Sequence, residues 1–159
     1  PRLRYGPLAM NPGITGGCQF GQVRYAINGP LFNAHICHCR MCQKAFGNLF
    51  AALAGVNKAD VSWTLGEPAY FRSSSIVQRG FCRHCGTPLT FAYDHTPHMN
   101  ISIGSLDNPA LAKVETQYGM EGMTQAFSAL HALPGSRTED DISAEDLRRL
   151  KSLQHPDHD

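Results

Sequence analysis

The 159-residue sequence predicts one mainly β domain with a short helix near the C-terminus. The chain holds 15 glycines and 10 prolines, and such frequent turn residues favour many short strands over long helices. Short runs in which apolar and polar residues alternate recur along the chain, as is typical of half-buried strands. The length suits a single domain that can bury a core.

The expected strands follow one another between turn residues. Val23–Ile27 alternates apolar and polar residues, and Asn28–Gly29 marks a turn after it. Leu31–Cys37 is expected to return as a strand, and Arg40–Phe46 to form one or two helical turns closed by Gly47. The other expected strands are Leu49–Val56, Val61–Leu65, Ala69–Arg72, Ile76–Phe81, Leu89–Tyr93 and Asn100–Ile103, with a turn at Ser105–Pro109.

The C-terminal part shows a helical pattern instead. Ser143 is a favourable N-cap, and Asp146 stands three residues later in a position like that of a capping box. An apolar stripe on this helix, which is expected to end near Gln154, consists of Leu147, Leu150 and Leu153. The tail His155–Asp159 is expected to be solvated.

Composition excludes several classes of partner. The formal net charge is +1 and no basic stripe is present, which argues against nucleic acid. No apolar stretch approaches the ~20 residues that span a bilayer, so no membrane association is expected. No basic segment followed by a long apolar run stands near the N-terminus, so we expect a reducing compartment, the cytoplasm.

The six cysteines are the most informative residues. Cys37, Cys39 and Cys42 lie within six residues, and Cys82 and Cys85 form a C-x-x-C pair. The sixth is Cys18. Clustered thiols at these spacings are typical of zinc ligands, whereas disulfide-bonded scaffolds spread their cysteines along the chain.

Spacing alone leaves two ligand sets open. In the first, Cys37, Cys39 and Cys42 hold a zinc with an open fourth position, and Cys82 and Cys85 join Cys18. In the second, Cys82 and Cys85 join Cys39 and Cys42 in a closed structural site, and Cys37 is spare. Three-ligand sites leave room for water or substrate, whereas closed sites are structural.

Three segments together resemble one known family. Gly16–Tyr25 follows the pattern G-[GS]-C-x-C-G-x-V-R-Y except at Phe20, and Cys37–Gly47 follows C-H-C-x-x-C-[RQ]-K-x-x-G. Phe81–Leu89 follows F-C-x-x-C-G-[ST]-x-L. In this order the motifs resemble those of the glutathione-dependent formaldehyde-activating enzyme / centromere protein V family.

The resemblance implies a fold and a set of metal ligands. The fold would be a β-tent, a zinc-binding arrangement of short antiparallel strands. The catalytic zinc would be held by Cys37, Cys39 and Cys42, and the structural zinc by Cys18, Cys82 and Cys85. Phe20 stands where the family has a fourth structural cysteine, so that site needs a substitute ligand or water, re-pairs with the central cysteines, or stays empty. We therefore expect one or two Zn²⁺ per chain, and closer to one than two.

The resemblance also implies a carbon–sulfur lyase activity. The reaction would be the reversible joining of formaldehyde to the thiol of glutathione, giving S-hydroxymethylglutathione. The expected partners are a small-molecule thiol such as glutathione and an aldehyde. The alternative is a non-catalytic zinc-binding module for a protein or chromatin partner, as the centromere-protein branch suggests.

We expect the chain to consist of a turn-rich surface segment (1–15), a zinc-binding β domain that contains the family motifs (16–135) and a C-terminal helix and tail (136–159). Within the β domain, His38 is expected to pack on the cysteine loop or to donate a hydrogen bond beside it. Arg40 and Lys44 either attract an anionic thiol or are solvated. Ordinary structural roles are expected for His35, His95 and His98, and core positions for Trp63, Phe71, Phe81, Phe91 and Tyr93.

Overall fold

A computed structural model describes residues 13–158 and confirms the mainly β fold. The prediction for the N-terminal segment falls, for residues 1–12, outside the described residues. The ten strands in the described range are β1 (Ile14–Gly17), β2 (Arg24–Ile27), β3 (Phe32–Cys37), β4 (Ala51–Asn57), β5 (Val61–Leu65), β6 (Ala69–Arg72), β7 (Val77–Phe81), β8 (Pro88–Tyr93), β9 (His98–Ser102) and β10 (Thr116–Tyr118).

Short helices connect or follow the strands. The four α-helices of the described range are α1 (Arg40–Phe46), α2 (Gln125–Ala129), α3 (Thr138–Asp141) and α4 (Ala144–Arg149). Single 3₁₀ turns lie at Lys58–Asp60, Ile103–Ser105, Pro109–Leu111, Met120–Gly122 and Leu130–Ala132. Among the described residues, none of these helices has the length and apolar character that crossing a bilayer requires.

Two sheets make up the fold. The smaller has the strand order β1-β2-β5, and the larger has the order β10-β3-β4-β9-β8-β7-β6. The described strand pairs are antiparallel except that β10 runs parallel to β3, with Tyr118 opposite Cys37. This last pairing brings a late segment of the chain beside the central cysteine loop, because the backbone N–H of His38 donates to the carbonyl oxygen of Tyr118 at 2.9 Å.

The hydrophobic core reaches both cysteine groups. The main cluster includes the fully buried side chains of Tyr25, Leu89 and Ile101, together with Cys18 and Cys82. A second cluster joins Cys42 to Ala51 and Leu53. Each cysteine group therefore packs against apolar core residues, which limit the movement of its side chains.

A buried ion pair between Arg24 and Asp107 joins the smaller sheet to the turn that contains Asp107. Arg24 donates to both carboxylate oxygens of Asp107, at 2.9 Å and 2.6 Å, and Thr15 donates to Asp107 at 2.6 Å. The hydroxyl groups of Tyr25 and Ser105 lie 2.8 Å apart in the same region. This network fixes the β1–β2 hairpin, which carries Cys18 into its site.

Some expected core aromatic residues lie nearer the surface. Phe71 is 44% exposed and Tyr93 is 38% exposed, so the prediction that they are core residues is wrong. Phe71 stands on β6, the edge strand of the larger sheet, and Tyr93 stands at the end of β8. Tyr93 instead lines a pocket described below.

The C-terminal helix begins where the sequence predicts but is shorter than predicted. The hydroxyl oxygen of Ser143 accepts the backbone N–H of Asp146 at 3.0 Å, as an N-cap does. The helix ends at Arg149 rather than near Gln154, and the leucine stripe is exposed because nothing described packs against it. The tail was expected to be solvated, yet His155 is half-buried against the Cys18 loop.

Candidate metal centres

The central cysteine group forms where β3 meets α1. Cys37 ends the strand, Cys39 precedes the helix, and Cys42 lies in its first turn. Their sulfur atoms lie within 4.8 Å of one another, and the three thiols are free. The helix ends at Gly47, whose φ of +58° is the left-handed conformation that glycine adopts readily. This tight loop aims three thiols at one point.

The second group joins distant parts of the chain. Cys18 comes from the β1–β2 turn, whereas Cys82 and Cys85 follow β7, and their sulfur atoms also lie within 4.8 Å of one another. The chain turns tightly after Cys85 through Gly86, whose φ is +78°. Of the two ligand sets left open by spacing, the structure therefore assembles Cys82 and Cys85 with Cys18, and not with the central group.

The thiols differ in acidity within each group. A hydrogen bond with Cys37, together with Arg79, lowers the pKa of Cys42 to about 5, although burial alone would raise it. The same hydrogen bond and burial both raise the pKa of Cys37. Burial raises the pKa of Cys85, but hydrogen bonds from Thr87 and from backbone N–H groups outweigh it and bring the pKa to about 6. Thiolates are the metal-binding form of cysteine.

The donor set fits a thiophilic metal. Three free thiols converge in each group, and soft sulfur ligands that lie this close together suit zinc. No disulfide joins the cysteines, which all lie in the described range. The chemistry of the residues present is therefore compatible with the zinc that the sequence motifs predict.

Arg79 is a component of the central site that sequence reasoning missed. It lies on β7, is 3% exposed, and donates from Nη2 to Sγ of Cys42 at 3.3 Å. Its Nε donates to the hydroxyl oxygen of Ser73 at 2.9 Å, and its guanidinium lies 4.7 Å from the centroid of the Phe91 ring. Because Arg79 and Cys42 are 37 residues apart, no local pattern indicates this contact.

His38 packs behind the central loop, as the sequence predicts. The residue is fully buried, and its Nε2 lies 2.9 Å from Oε1 of Gln117 on β10. Its ring meets that of Phe127 edge to face, with the centroids 4.5 Å apart. These contacts join the loop between Cys37 and Cys39 to β10 and α2.

A pocket of about 310 Å³ opens beside the central thiols. Besides two of the cysteines it is lined by aromatic, apolar and neutral polar residues: Phe32, Asn33, His35, Cys37, Cys42, Leu53, Phe91, Tyr93, His98, Asn100 and Tyr118. Arg40 and Lys44 are not among them, so the expectation that they attract a thiol finds no support at this pocket. Arg40 donates instead to the side chain of Gln43.

Two pocket histidines were expected to be merely structural. Nδ1 of His35 lies 2.7 Å from the carbonyl oxygen of Asn33, and since a carbonyl only accepts, Nδ1 carries the proton. Asn33 holds a φ of +45°, a left-handed conformation that asparagine tolerates, and its side chain accepts from the hydroxyl of Tyr118 at 3.0 Å. His98 comes to the pocket through the β3-β4-β9 pairing. Neither histidine carried a motif that could have singled it out.

Comparisons with known proteins agree with this architecture. The chain is 40% identical over 57 residues to an uncharacterized lyase of Schizosaccharomyces pombe, a region that covers 36% of this chain and 41% of that protein. It also resembles a crystal structure of a Rhodobacter sphaeroides protein, with a TM-score of 0.53 and 22% identity over 65% of this chain and 99% of that one. That likeness concerns the fold alone.

The family assignment rests on a longer match. The model of the family described as glutathione-dependent formaldehyde-activating enzyme matches residues 13–121, which is more than half of the chain and includes both cysteine groups. The three motifs and the two converging thiol groups lie inside this match. The chain therefore belongs to the glutathione-dependent formaldehyde-activating enzyme family.

Proposed function

We propose that the protein is a zinc-dependent carbon–sulfur lyase that acts on a thiol–aldehyde adduct such as S-hydroxymethylglutathione. The observation that carries this proposal is that Cys37 and Cys42, two of three converging thiols, line a pocket of about 310 Å³. A zinc ion held by Cys37, Cys39 and Cys42 would supply Lewis-acid chemistry at an open fourth position. Family membership and the lyase name of the S. pombe relative support the reaction class.

The pocket suits a small adduct or the reacting end of a larger one. Its volume is near the lower end of the range for ligand pockets, roughly 300–1,000 Å³, and its walls are mainly aromatic with a few polar groups. The apolar walls of Leu53 and Phe91 would exclude water from the reacting sulfur, while Asn33 and Asn100 offer hydrogen bonds to polar parts of the ligand.

His35 is the residue that we assign to proton transfer. Cleavage of the adduct breaks its C–S bond, forms the C=O bond of the aldehyde, and moves the hydroxyl proton from oxygen to sulfur. In a neutral His35 ring Nδ1 carries the proton, so Nε2 holds the lone pair that accepts the hydroxyl proton and returns it to the sulfur. Asn33 fixes this tautomer through its carbonyl group.

The same proposal covers the second cysteine group, the domain organisation and the location. Cys18, Cys82 and Cys85 would hold a structural zinc, since Cys18 and Cys82 are part of the main core cluster. We keep residues 16–135 as the zinc-binding domain, which the family match over 13–121 supports. Six unpaired thiols support a reducing compartment, for which we propose the cytoplasm.

The experiment must separate catalysis from a fast uncatalysed condensation. Exchange of ¹³C-formaldehyde with S-hydroxymethylglutathione is measured by NMR, with the zinc-loaded protein, with a Cys39→Ser variant, and with a control in which the exposed His84 is replaced, His84→Ala. We expect acceleration by wild type and by the control, and none by Cys39→Ser. Exchange at the background rate with glutathione, cysteine and 2-mercaptoethanol alike would reject the lyase and favour the non-catalytic binding module.

A further inference from the structure

We propose that His155, in the C-terminal tail, is the fourth ligand of the zinc held by Cys18, Cys82 and Cys85. The inference rests on the zinc that we propose for this group, and it is independent of the lyase reaction at the central group. A closed tetrahedral site needs four donors, and the three thiols supply three. Phe20 supplies none, and its side chain is 43% exposed.

The tail is anchored directly to the loop that carries Cys18. The backbone N–H of His155 donates to the carbonyl oxygen of Gln19 at 2.7 Å. The imidazole lies against Gly21, where a Cβ atom would stand 2.2 Å from Cδ2 of His155. Glycine at this position, which has a φ of +73°, therefore leaves the space that the ring occupies. The ring and Cys18 line the same pocket, of about 180 Å³.

The protonation of the ring matches that of a zinc ligand. Nδ1 of His155 lies 2.7 Å from the carbonyl oxygen of Pro156, and since a carbonyl only accepts, Nδ1 carries the proton. The lone pair of the neutral ring is then on Nε2. Histidines that bind zinc likewise keep the proton on the ring nitrogen that does not face the metal, so the ring already has its Nε2 available before it rotates.

Closing the site requires a rotation of the side chain, which gives up the hydrogen bond of Nδ1 with the carbonyl oxygen of Pro156. The ring nitrogens of His155 stand outside the group that the three sulfur atoms form within 4.8 Å of one another. The hydrogen bond to Gln19 already holds the backbone of the tail at the site, so the rotation does not require the tail to refold. Because Phe20 cannot bind metal, the sequence predicts closer to one bound zinc per chain than two. With His155 as a substitute ligand, the expected number rises to about two per chain.

Cadmium NMR tests the bond directly. The full-length protein is loaded with ¹¹³Cd, and ¹H–¹¹³Cd correlation is recorded for wild type and for His155→Ala. Coupling through the metal–nitrogen bond gives a cross-peak to the ring protons of His155, and we expect this peak in wild type and its loss in the variant. The matched control is His158→Ala, which removes the neighbouring tail histidine and should keep the peak.

Zinc content and rescue give a second measurement. Loss of an outer-shell partner alone weakens metal binding by 10–100-fold, so loss of a ligand should weaken zinc binding at this site by about 100-fold or more. After a mild chelator we expect about two zinc ions per chain in wild type and about one in His155→Ala. The double variant Phe20→Cys/His155→Ala restores a fourth donor and should retain both.

The outcomes separate this inference from the proposed function. A ¹¹³Cd resonance from the Cys18 group without coupling to His155, or full zinc retention by His155→Ala, would overturn the role of His155 and leave the zinc in place. Absence of any metal from the Cys18 group in wild type would reject both the structural zinc and its fourth ligand. Neither result bears on the lyase assigned to the central group.

Discussion

The buried guanidinium of Arg79 donates from Nη2 to Sγ of Cys42 at 3.3 Å, and so joins β7 to the central cysteine group. A divalent zinc with three thiolates carries one net negative charge. A buried positive charge beside one of the sulfur atoms compensates that excess, which would otherwise be costly in apolar surroundings. The contacts of Arg79 with Ser73 and Phe91 keep the guanidinium in position.

We therefore expect Arg79→Met to weaken zinc binding at the central group. Replacing a partner of a metal ligand typically costs 10–100-fold in metal affinity, and about that loss is predicted here. Competition with a chromophoric chelator measures it. Arg72→Met is the control, because the Arg72 side chain is 51% exposed and pairs with Asp94 away from the thiols. An unchanged zinc dissociation constant in Arg79→Met would contradict the charge-compensation argument.

The two cysteine groups should differ in their importance for folding. Cys82 is fully buried in the main core cluster, whereas Cys37 is only half-buried and lines the pocket. A structural zinc contributes directly to the free energy of folding. Cys82→Ser should therefore lower the melting temperature more than Cys37→Ser, although both replace one sulfur by oxygen. The opposite order in thermal melts would contradict this division of roles.

Local signals predicted much of the fold. The bounds of α1 and of the strands Val61–Leu65 and Ala69–Arg72 agree with the sequence prediction. Each of these elements has its own pattern: a helical run closed by Gly47, or a short strand bounded by turn residues. Spacing likewise indicated that Cys37, Cys39 and Cys42 lie together, because a metal-binding loop is largely defined by its own spacing. The place of Cys18 beside Cys82 and Cys85 was left open by spacing and was implied only by the family resemblance.

Contacts between distant segments could not be predicted in this way. β10 is three residues long, too short for an alternation to show, and it is defined by its parallel pairing with β3. His35 and His98 share a pocket only because β3, β4 and β9 are neighbours in the sheet. The docking of His155 on Gln19 likewise depends on tertiary packing across more than 130 residues.

Asp107→Asn should destabilise the protein and change its response to acid. Burial raises the pKa of Asp107, but hydrogen bonds from Arg24 and Thr15 outweigh it, so the pKa lies below the ordinary carboxyl value. A carboxyl with a depressed pKa stabilises the fold above its unfolded pKa, and this contribution is lost as the pH falls through the folded pKa. Breaking a buried pair costs about 3–5 kcal/mol, and a loss of that order is expected at neutral pH.

Urea unfolding at several pH values checks this prediction. The free energy of unfolding of wild type should fall between about pH 5 and pH 3, near the ordinary carboxyl pKa and below. Asp107→Asn should show a smaller fall over that range, while acid release of metal affects both proteins. Equal slopes in the two proteins would mean that the ion pair of Arg24 and Asp107 does not contribute to the acid response.

The last prediction concerns proton transfer in the pocket. His35→Gln keeps a polar side chain but removes the ring nitrogen that accepts the adduct's proton, so the rate of C–S cleavage should fall by about 10²–10⁴-fold. Zinc content should stay unchanged, since His35 is outside both thiol groups.

His95→Gln is the control, because His95 is exposed and does not line the pocket. NMR exchange with the adduct measures the rate, and a thermal melt confirms folding of the variant, since His35 is only 7% exposed. If folded, zinc-loaded His35→Gln exchanges the adduct as fast as wild type, another group transfers the proton and the role assigned to His35 is wrong.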